Sequence, residues 1–341
     1  CATLANGMKA RELCASFIEN TGPAHDVFDS ALLMSPAWGE YFKRLSSLPM
    51  LAVGSAWQLA FGRRSWASAF ERLSAALPTG LMSSDGLHTQ LSQLFSQPGR
   101  SNDFRKLKRQ LILVATDLDS GAAVPFGTKG WDHIPISRAV QASAALPGLF
   151  PPVEIEGRYF VDGALKKTVH ASLLLDKGID LLICLNPLVP YKSTPPVNSQ
   201  RAPGIPSLIG GGLPAVLGQT LRSLIHSRLE LGMKGYERSH PNTDILLFEP
   251  DQTDVEMFGA NTFSYSQRRR IAEHAYQQTR QQLREREPHF ATILARHALG
   301  LDHSKLFDLD RRLLSEPKAG TGLDQTRRLN AVLAQLEAKL S

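Results

Sequence analysis

The chain has 341 residues, with Lys+Arg 38 against Asp+Glu 32 and a net charge of +6. Apolar residues make up 43% and charged residues 21%, which excludes a disordered polyelectrolyte and leaves ample material for a buried core. The three cysteines, Cys1, Cys14 and Cys184, form no CxxC pair, which argues against a disulfide framework or a cysteine zinc site and for a reducing, cytoplasmic setting.

The elements follow in chain order. The first residue is Cys1, and the opening twenty residues lack the charged and apolar regions of a signal peptide. Met8–Phe17 reads as a helix end or a short helix after a turn. Residues 28-97 read as a helical, cap-like segment, in which Trp66, Phe70, Leu73 and Leu77 share one helical face. After the turn Pro98–Asn102, the run Leu111–Thr116 reads as a buried strand. Asp117–Gly121 is a turn, and Ala122–Phe126 returns as a strand that Pro125 assigns to an edge. Ile136–Leu146 reads as a helix of small residues stopped by Pro147. Val153–Ile155 and Tyr159–Val161 flank Glu156-Gly157 as a hairpin.

Farther on, Leu173–Asp176 continues a helix and Ile179–Leu185 reads as another buried strand. Tyr191–Gly212 is a Pro/Gly/Ser-rich connection. It overlaps Ala202–Leu221, the longest uncharged stretch, whose prolines and glycines oppose a spanning helix. Leu213–Glu237 is a predicted helix, Ile245–Phe248 a strand and Ser264–Glu287 a long helix. Residues 288-341 read as a helical tail, amphipathic over Thr326–Leu340. Alternating strands and helices indicate an α/β fold.

Two basic runs stand out: Arg105, Lys106, Lys108, Arg109 and Arg268-Arg269-Arg270. Neither is interleaved with aromatics, and no zinc-finger or helix-turn-helix pattern occurs, so no nucleic-acid partner is expected. Solvated patches or contact with anionic lipid fit better. No ligand spacing for a metal appears, and no cofactor is expected.

The sharpest candidate site residue is Asp162, at the predicted end of the strand Tyr159–Val161. A carboxylate beyond the carboxyl end of a strand faces a crevice, where it can take a proton from a nucleophile. Gly163 is expected to let the backbone turn at once. Alone, Asp-Gly is a common turn dipeptide, and Asp85-Gly86 is read as a loop.

The surroundings add to this. Ala115-Thr116-Asp117-Leu118-Asp119-Ser120-Gly121, then Ile136–Pro147 with its Ser143-Ala144-Ala145, then Phe150–Val153, then Gly157–Ala164 ending in Asp162-Gly163-Ala164 together resemble the patatin-like phospholipase family, in its bacterial form. The match in order and spacing covers roughly Leu111–Ala171.

The resemblance implies a three-layer α/β sandwich, with a central, mostly parallel sheet and helices on both faces, followed by a C-terminal helical tail. It implies a lipid acyl-ester hydrolase that uses a Ser–Asp dyad, with the aspartate of the Asp-Gly-Gly/Ala motif, here Asp162, as base. Substrates would be phospholipid or neutral lipid, with transient contact at a membrane surface. The family's Gly-x-Ser-x-Gly elbow and its glycine-rich oxyanion segment have no counterpart in residues 1–341. Gly210-Gly211-Gly212 is followed by Leu213-Pro214 and reads as a loop.

Cys1–Gly7 resembles the end of the helix that follows the elbow, so the nucleophile is expected about one helical turn before Cys1. On this reading residues 1-190 are the catalytic domain without its elbow, 191-287 complete the core, and the chain as given has little activity. Thr168 and His170 stand where the family often carries Asn and Pro. His170 and His133 are read as structural or exposed, and Lys166 and Lys167 as solvated or as drawing a phosphate head group. The alternative is a noncatalytic lipid- or membrane-surface-binding protein on the same scaffold, with a protein–protein module on the C-terminal helices as a weaker third.

Overall fold

The computed structural model describes residues 1–21, 35–39, 41–42, 78–167, 169–192, 210, 212–259 and 265–314. The expected stripe of Trp66, Phe70, Leu73 and Leu77 lies outside these residues, as do Thr168 and the amphipathic stretch Thr326–Leu340.

Two short helices open the chain, α1 (Ala2–Ala5) and α2 (Ala10–Cys14), the second running into a wide turn over Ala15–Glu19. Helix α3 (Asp85–Phe95) follows in the cap-like segment. The strands β1 (Leu113–Asp117), β2 (Ala123–Phe126), β3 (Val153–Ile155) and β4 (Arg158–Asp162) form one sheet in the order β2-β1-β4-β3. β2 is at an edge, as Pro125 requires. Helix α4 (Ile136–Ser143) covers this sheet and packs on α3. It ends three residues before the predicted stop at Leu146, because Ala144–Phe150 close a series of turns instead.

The expectation of a mostly parallel central sheet is corrected here. All three pairings of the four-stranded sheet are antiparallel. The reason is local. Asp117–Ala122 and Glu156-Gly157 are tight connections, and only antiparallel neighbours can be joined so closely. At the second connection Glu156 and Gly157 both have positive φ, 52° and 73°, the backbone of a two-residue turn that matches strand twist. Parallel pairing occurs between β5 (Leu181–Leu185) and β6 (Asp244–Phe248). The long helix α5 (Gly212–Ser239) lies within the crossover between them.

The first core lies between α3, α4 and the four-stranded sheet. Phe95, Phe126, Ile136, Ala139, Ala142 and Phe160 have no exposed surface. Phe126, Trp131 and Phe160 meet edge to face, with centroids 5.4–5.8 Å apart. Asn102 caps α4 from a distant loop, accepting from the Ser137 amide at 2.8 Å and donating to its hydroxyl at 3.0 Å.

A second core gathers Leu175, Leu182, Cys184, Leu229, Met233 and Tyr236. On β6, Leu246 packs with Phe290 and Ile293 of α8 (Glu287–Arg296), and Phe248 stacks on Phe290 at 5.3 Å. Between β6 and α8 come α6 (Val255–Gly259) and the long α7 (Tyr265–Glu285).

β5 departs from the sequence reading. Its apolar run was expected to be buried on both faces. Leu182 and Cys184 are buried, but Ile183 and Leu185 on the other face are 51% and 74% exposed. Successive side chains of a strand point to opposite sides, and among the described residues only one side of this strand is covered. Among the described residues no helix is long and apolar enough to cross a membrane.

Candidate functional site

Asp162 is the last residue of β4, and three segments hold it. Within the sheet it stands opposite Ala115 of β1. Its backbone N–H donates to Ala145 O at 3.0 Å, just past the end of α4. The Thr116 hydroxyl donates to Asp162 O at 3.1 Å. Ser143 Oγ in turn donates to Val114 O at 2.8 Å and so ties α4 to β1. The Thr-Asp, Ser-Ala-Ala and Asp-Gly-Ala stretches, distant in sequence, therefore surround one backbone unit. The main-chain N–H and C=O of Asp162 are both paired, as a half-buried strand end requires.

Gly163 has a different role from the one its sequence suggested. Its φ is not positive, so the turn does not demand glycine. A Cβ at this position would stand 2.3 Å from Val114 O, far inside contact distance. Glycine is needed because the backbone leaving β4 passes directly against β1. The chain then makes one tight turn over Gly163–Leu165, and the Ala164 amide donates to Asp162 Oδ1 at 2.8 Å.

That is the carboxylate's one hydrogen bond among the described residues. Among the described residues no cation pairs with it. Burial dominates its electrostatics and pushes its pKa above the ordinary carboxylate value, while the Ala164 amide pulls weakly the other way. Asp162 lines a crevice of about 520 Å³. Apolar side chains form most of its walls, including Leu113 on β1 and the exposed Ile183 and Leu185 of β5. Cys1, at the start of α1, lines the same crevice.

Asp117 has the opposite surroundings. Nearly sealed from solvent, it accepts from Arg158 Nε at 2.8 Å and from a second guanidinium nitrogen of the same residue. The Asp119 and Ser120 amides donate to its other oxygen. The Arg158 guanidinium, first, and these amides hold its pKa down to about 2. Arg158 also lies over the rings of Trp131 and Phe160, 5.3 and 5.7 Å from the centroids. Asp117 is thus a clamp between β1 and β4, and Asp162 is the open carboxylate of the pair.

The remaining candidates sort as follows. His170 shares the crevice, but its Nε2 lies 3.1 Å from Gly163 O and no bond joins it to Asp162. Burial pushes its pKa below the usual histidine value. His133 pairs with Glu156 at the hairpin turn, 2.7 Å away. Lys167 donates to Ser172 Oγ at 3.2 Å and covers the Tyr236 ring. Lys166 points to solvent. Neither lysine lines the crevice. Among the described residues no group of three or more His, Cys, Asp or Glu is placed to hold a metal ion.

Sequence reasoning missed the support given by Thr116, Ser143 and Ala145, although all three stand inside the motifs it quoted. It also missed the apolar wall from β5, for which an unbroken apolar run carries no signal. The match with known families covers the same ground: the model for patatin-like phospholipases fits residues 2–175, about half the chain. Its span holds β1–β4, α4 and the Asp162 crevice's inner wall, and the chain belongs to the patatin-like phospholipase family.

Proposed function

We propose that this chain is the Asp162-bearing part of a lipid acyl hydrolase that works by a Ser–Asp dyad. The family supports hydrolysis of lipid esters in general. The observation that carries the finer reading is the state of Asp162. Its carboxylate opens into a largely apolar crevice, unpaired by any cation among the described residues, with a raised pKa and a backbone held from three sides.

A carboxylate so placed is a stronger base than an exposed one. The serine is proposed to lie upstream of Cys1. Cys1 lines the Asp162 crevice, so a residue about one helical turn before it would reach the same space. In the reaction Asp162 takes the serine proton as the serine oxygen attacks the ester carbonyl. The tetrahedral intermediate collapses, and the leaving alcohol receives the proton from Asp162. Water then gives a proton to Asp162 and attacks the acyl-enzyme. Collapse returns that proton to the serine and frees the fatty acid. Leu113, Ile183 and Leu185 offer the acyl chain an apolar wall.

The test uses an extended chain that includes the upstream residues, with a short-chain nitrophenyl ester as substrate. Asp162→Asn keeps an oxygen to accept from the Ala164 amide and loses the base. Turnover is expected to fall about 10²–10⁴-fold with the fold intact. Turnover at the parent rate would sink the dyad. The alternative, a noncatalytic lipid-surface protein, predicts no ester turnover in the extended chain at all.

A further inference from the structure

A second hollow, of about 970 Å³, lies beside the Asp162 crevice. Its walls come from the turn after α1 and from residues 99–109. Four cationic side chains line it: Arg100, Lys106, Lys108 and Arg109. Lys106, Lys108 and Arg109 are exposed, and none of the three is in an ion pair among the described residues. The one carboxylate in the lining, Asp103, is engaged by Arg105, whose Nε and a terminal nitrogen each donate to it at 2.9 Å. His133 at the rim is occupied by Glu156. Among the described residues, the charge of Lys106, Lys108 and Arg109 is therefore uncompensated, and it attracts an anion of matching size.

Its position selects the anion. Arg109 lines the basic hollow, and the next residue, Gln110, lines the Asp162 crevice. Ala5 of α1 lines the hollow, and Cys1 at the other end of this four-residue helix lines the crevice. The two spaces are thus about one helical turn apart, roughly 6 Å. In a phospholipid one glycerol joins the phosphate to the acyl esters, so an anionic group and a hydrolysable ester sit about that far apart. Of the two rings in the hollow's lining, Phe95 is fully buried and the His133 imidazole is held at its edge by Glu156, so no exposed Phe, Tyr or Trp face is offered for a nucleic-acid base to stack on.

We propose that Lys106, Lys108 and Arg109 bind the phosphate of an anionic phospholipid head group and dock the chain on an anionic membrane beside the Asp162 crevice. In naming where the substrate lies, this rests on the acyl-hydrolase reading. The binding itself needs no catalysis.

The experiment is co-sedimentation of the 341-residue chain with phosphatidylcholine vesicles, with and without phosphatidylglycerol, at about 50 mM and about 500 mM salt. The unmodified chain is expected to bind the anionic vesicles at low salt, to release them at high salt, and to bind neutral vesicles poorly throughout. The triple variant Lys106→Gln/Lys108→Gln/Arg109→Gln is expected to bind anionic vesicles about 100-fold more weakly. These side chains are exposed, so its melting temperature should match the parent's. The salt response of the parent tests the proposal even if the variant fails to fold.

Equal binding to both vesicle types, or a triple variant that binds like the parent, overturns the proposal. So does a chain that takes up inorganic phosphate or a single-stranded oligonucleotide through these three residues while ignoring vesicles. Asp162→Asn with full turnover in the extended chain would remove the hydrolase reading and leave the vesicle result standing. Normal vesicle binding by the triple variant would do the reverse.

Discussion

The two sheets of this molecule treat apolar strands differently. β1 and β4 lie inside a four-stranded antiparallel sheet, flanked by partners on both edges and covered by α4. β5 pairs with β6 alone among the described residues, and its outer side chains Ile183 and Leu185 are open. The first arrangement fixes a backbone to within a hydrogen bond. The second leaves one apolar face exposed, with Ile183 and Leu185 on it. Asp162 sits where the two face each other. Its main chain belongs to the rigid sheet, while its carboxylate belongs to the open space that β5 helps to line. Positioning and access are thereby supplied by separate parts of the fold.

Substitutions can break or sharpen that contrast. Phe160→Ala removes a ring with no exposed surface from the antiparallel core and should cost about 3–5 kcal/mol in denaturant unfolding. A loss under about 1 kcal/mol would mean that the sheet is less tightly built than described. Gly163→Ala forces a methyl group toward Val114 O. It should cost about 1–3 kcal/mol and, in the extended chain, lower turnover by moving Asp162. Unchanged stability and turnover would show that β1 and the Asp162 turn do not meet as closely as the geometry requires.

Asp117→Asn probes the clamp through pH. The Asp117 pKa is held down to about 2 in the folded chain, so its carboxylate contributes stability above the ordinary carboxylate range. That contribution is lost as pH falls from about 4 toward 2. The parent should therefore exceed Asp117→Asn in stability at neutral pH, and the gap should close across that window. A gap independent of pH would contradict the ion pair. The smallest effect belongs to the parallel side. Leu185→Ser on the exposed face of β5 should stay within about 0.5 kcal/mol. A large loss would mean that this face is covered.

The same contrast governs how much of the structure was legible in the sequence. Pro125 marks the edge strand, Glu156-Gly157 marks the hairpin, and the joined motifs mark the segments that meet around Asp162, because each rests on contacts that specific residue types enforce. The pairing direction was misjudged because alternation of strands and helices suggests parallel order, whereas the short connections at Asp117–Ala122 and Glu156-Gly157 decide it. Ile179–Leu185 was read as buried on both faces because an apolar run records what a strand offers, not what arrives to cover it. Gly163 was read as a turn residue because close approach to Val114 O is a long-range fact. The open carboxylate at Asp162 and the clamped one at Asp117 look alike in sequence. What separates them is Arg158, forty-one positions from Asp117.

The central claim is that Asp162 carries a half-buried carboxylate that no cation among the described residues pairs with, ready to take a proton. The direct measurement is a carbon-13 NMR titration of its side-chain carboxyl in the 341-residue chain, assigned by loss of the signal in Asp162→Asn. Burial predicts a midpoint above the ordinary value of 3.8. A midpoint below 3.8 would mean an ion pair or a sheath of donors around the group, and Asp162 would then be a second clamp rather than a base.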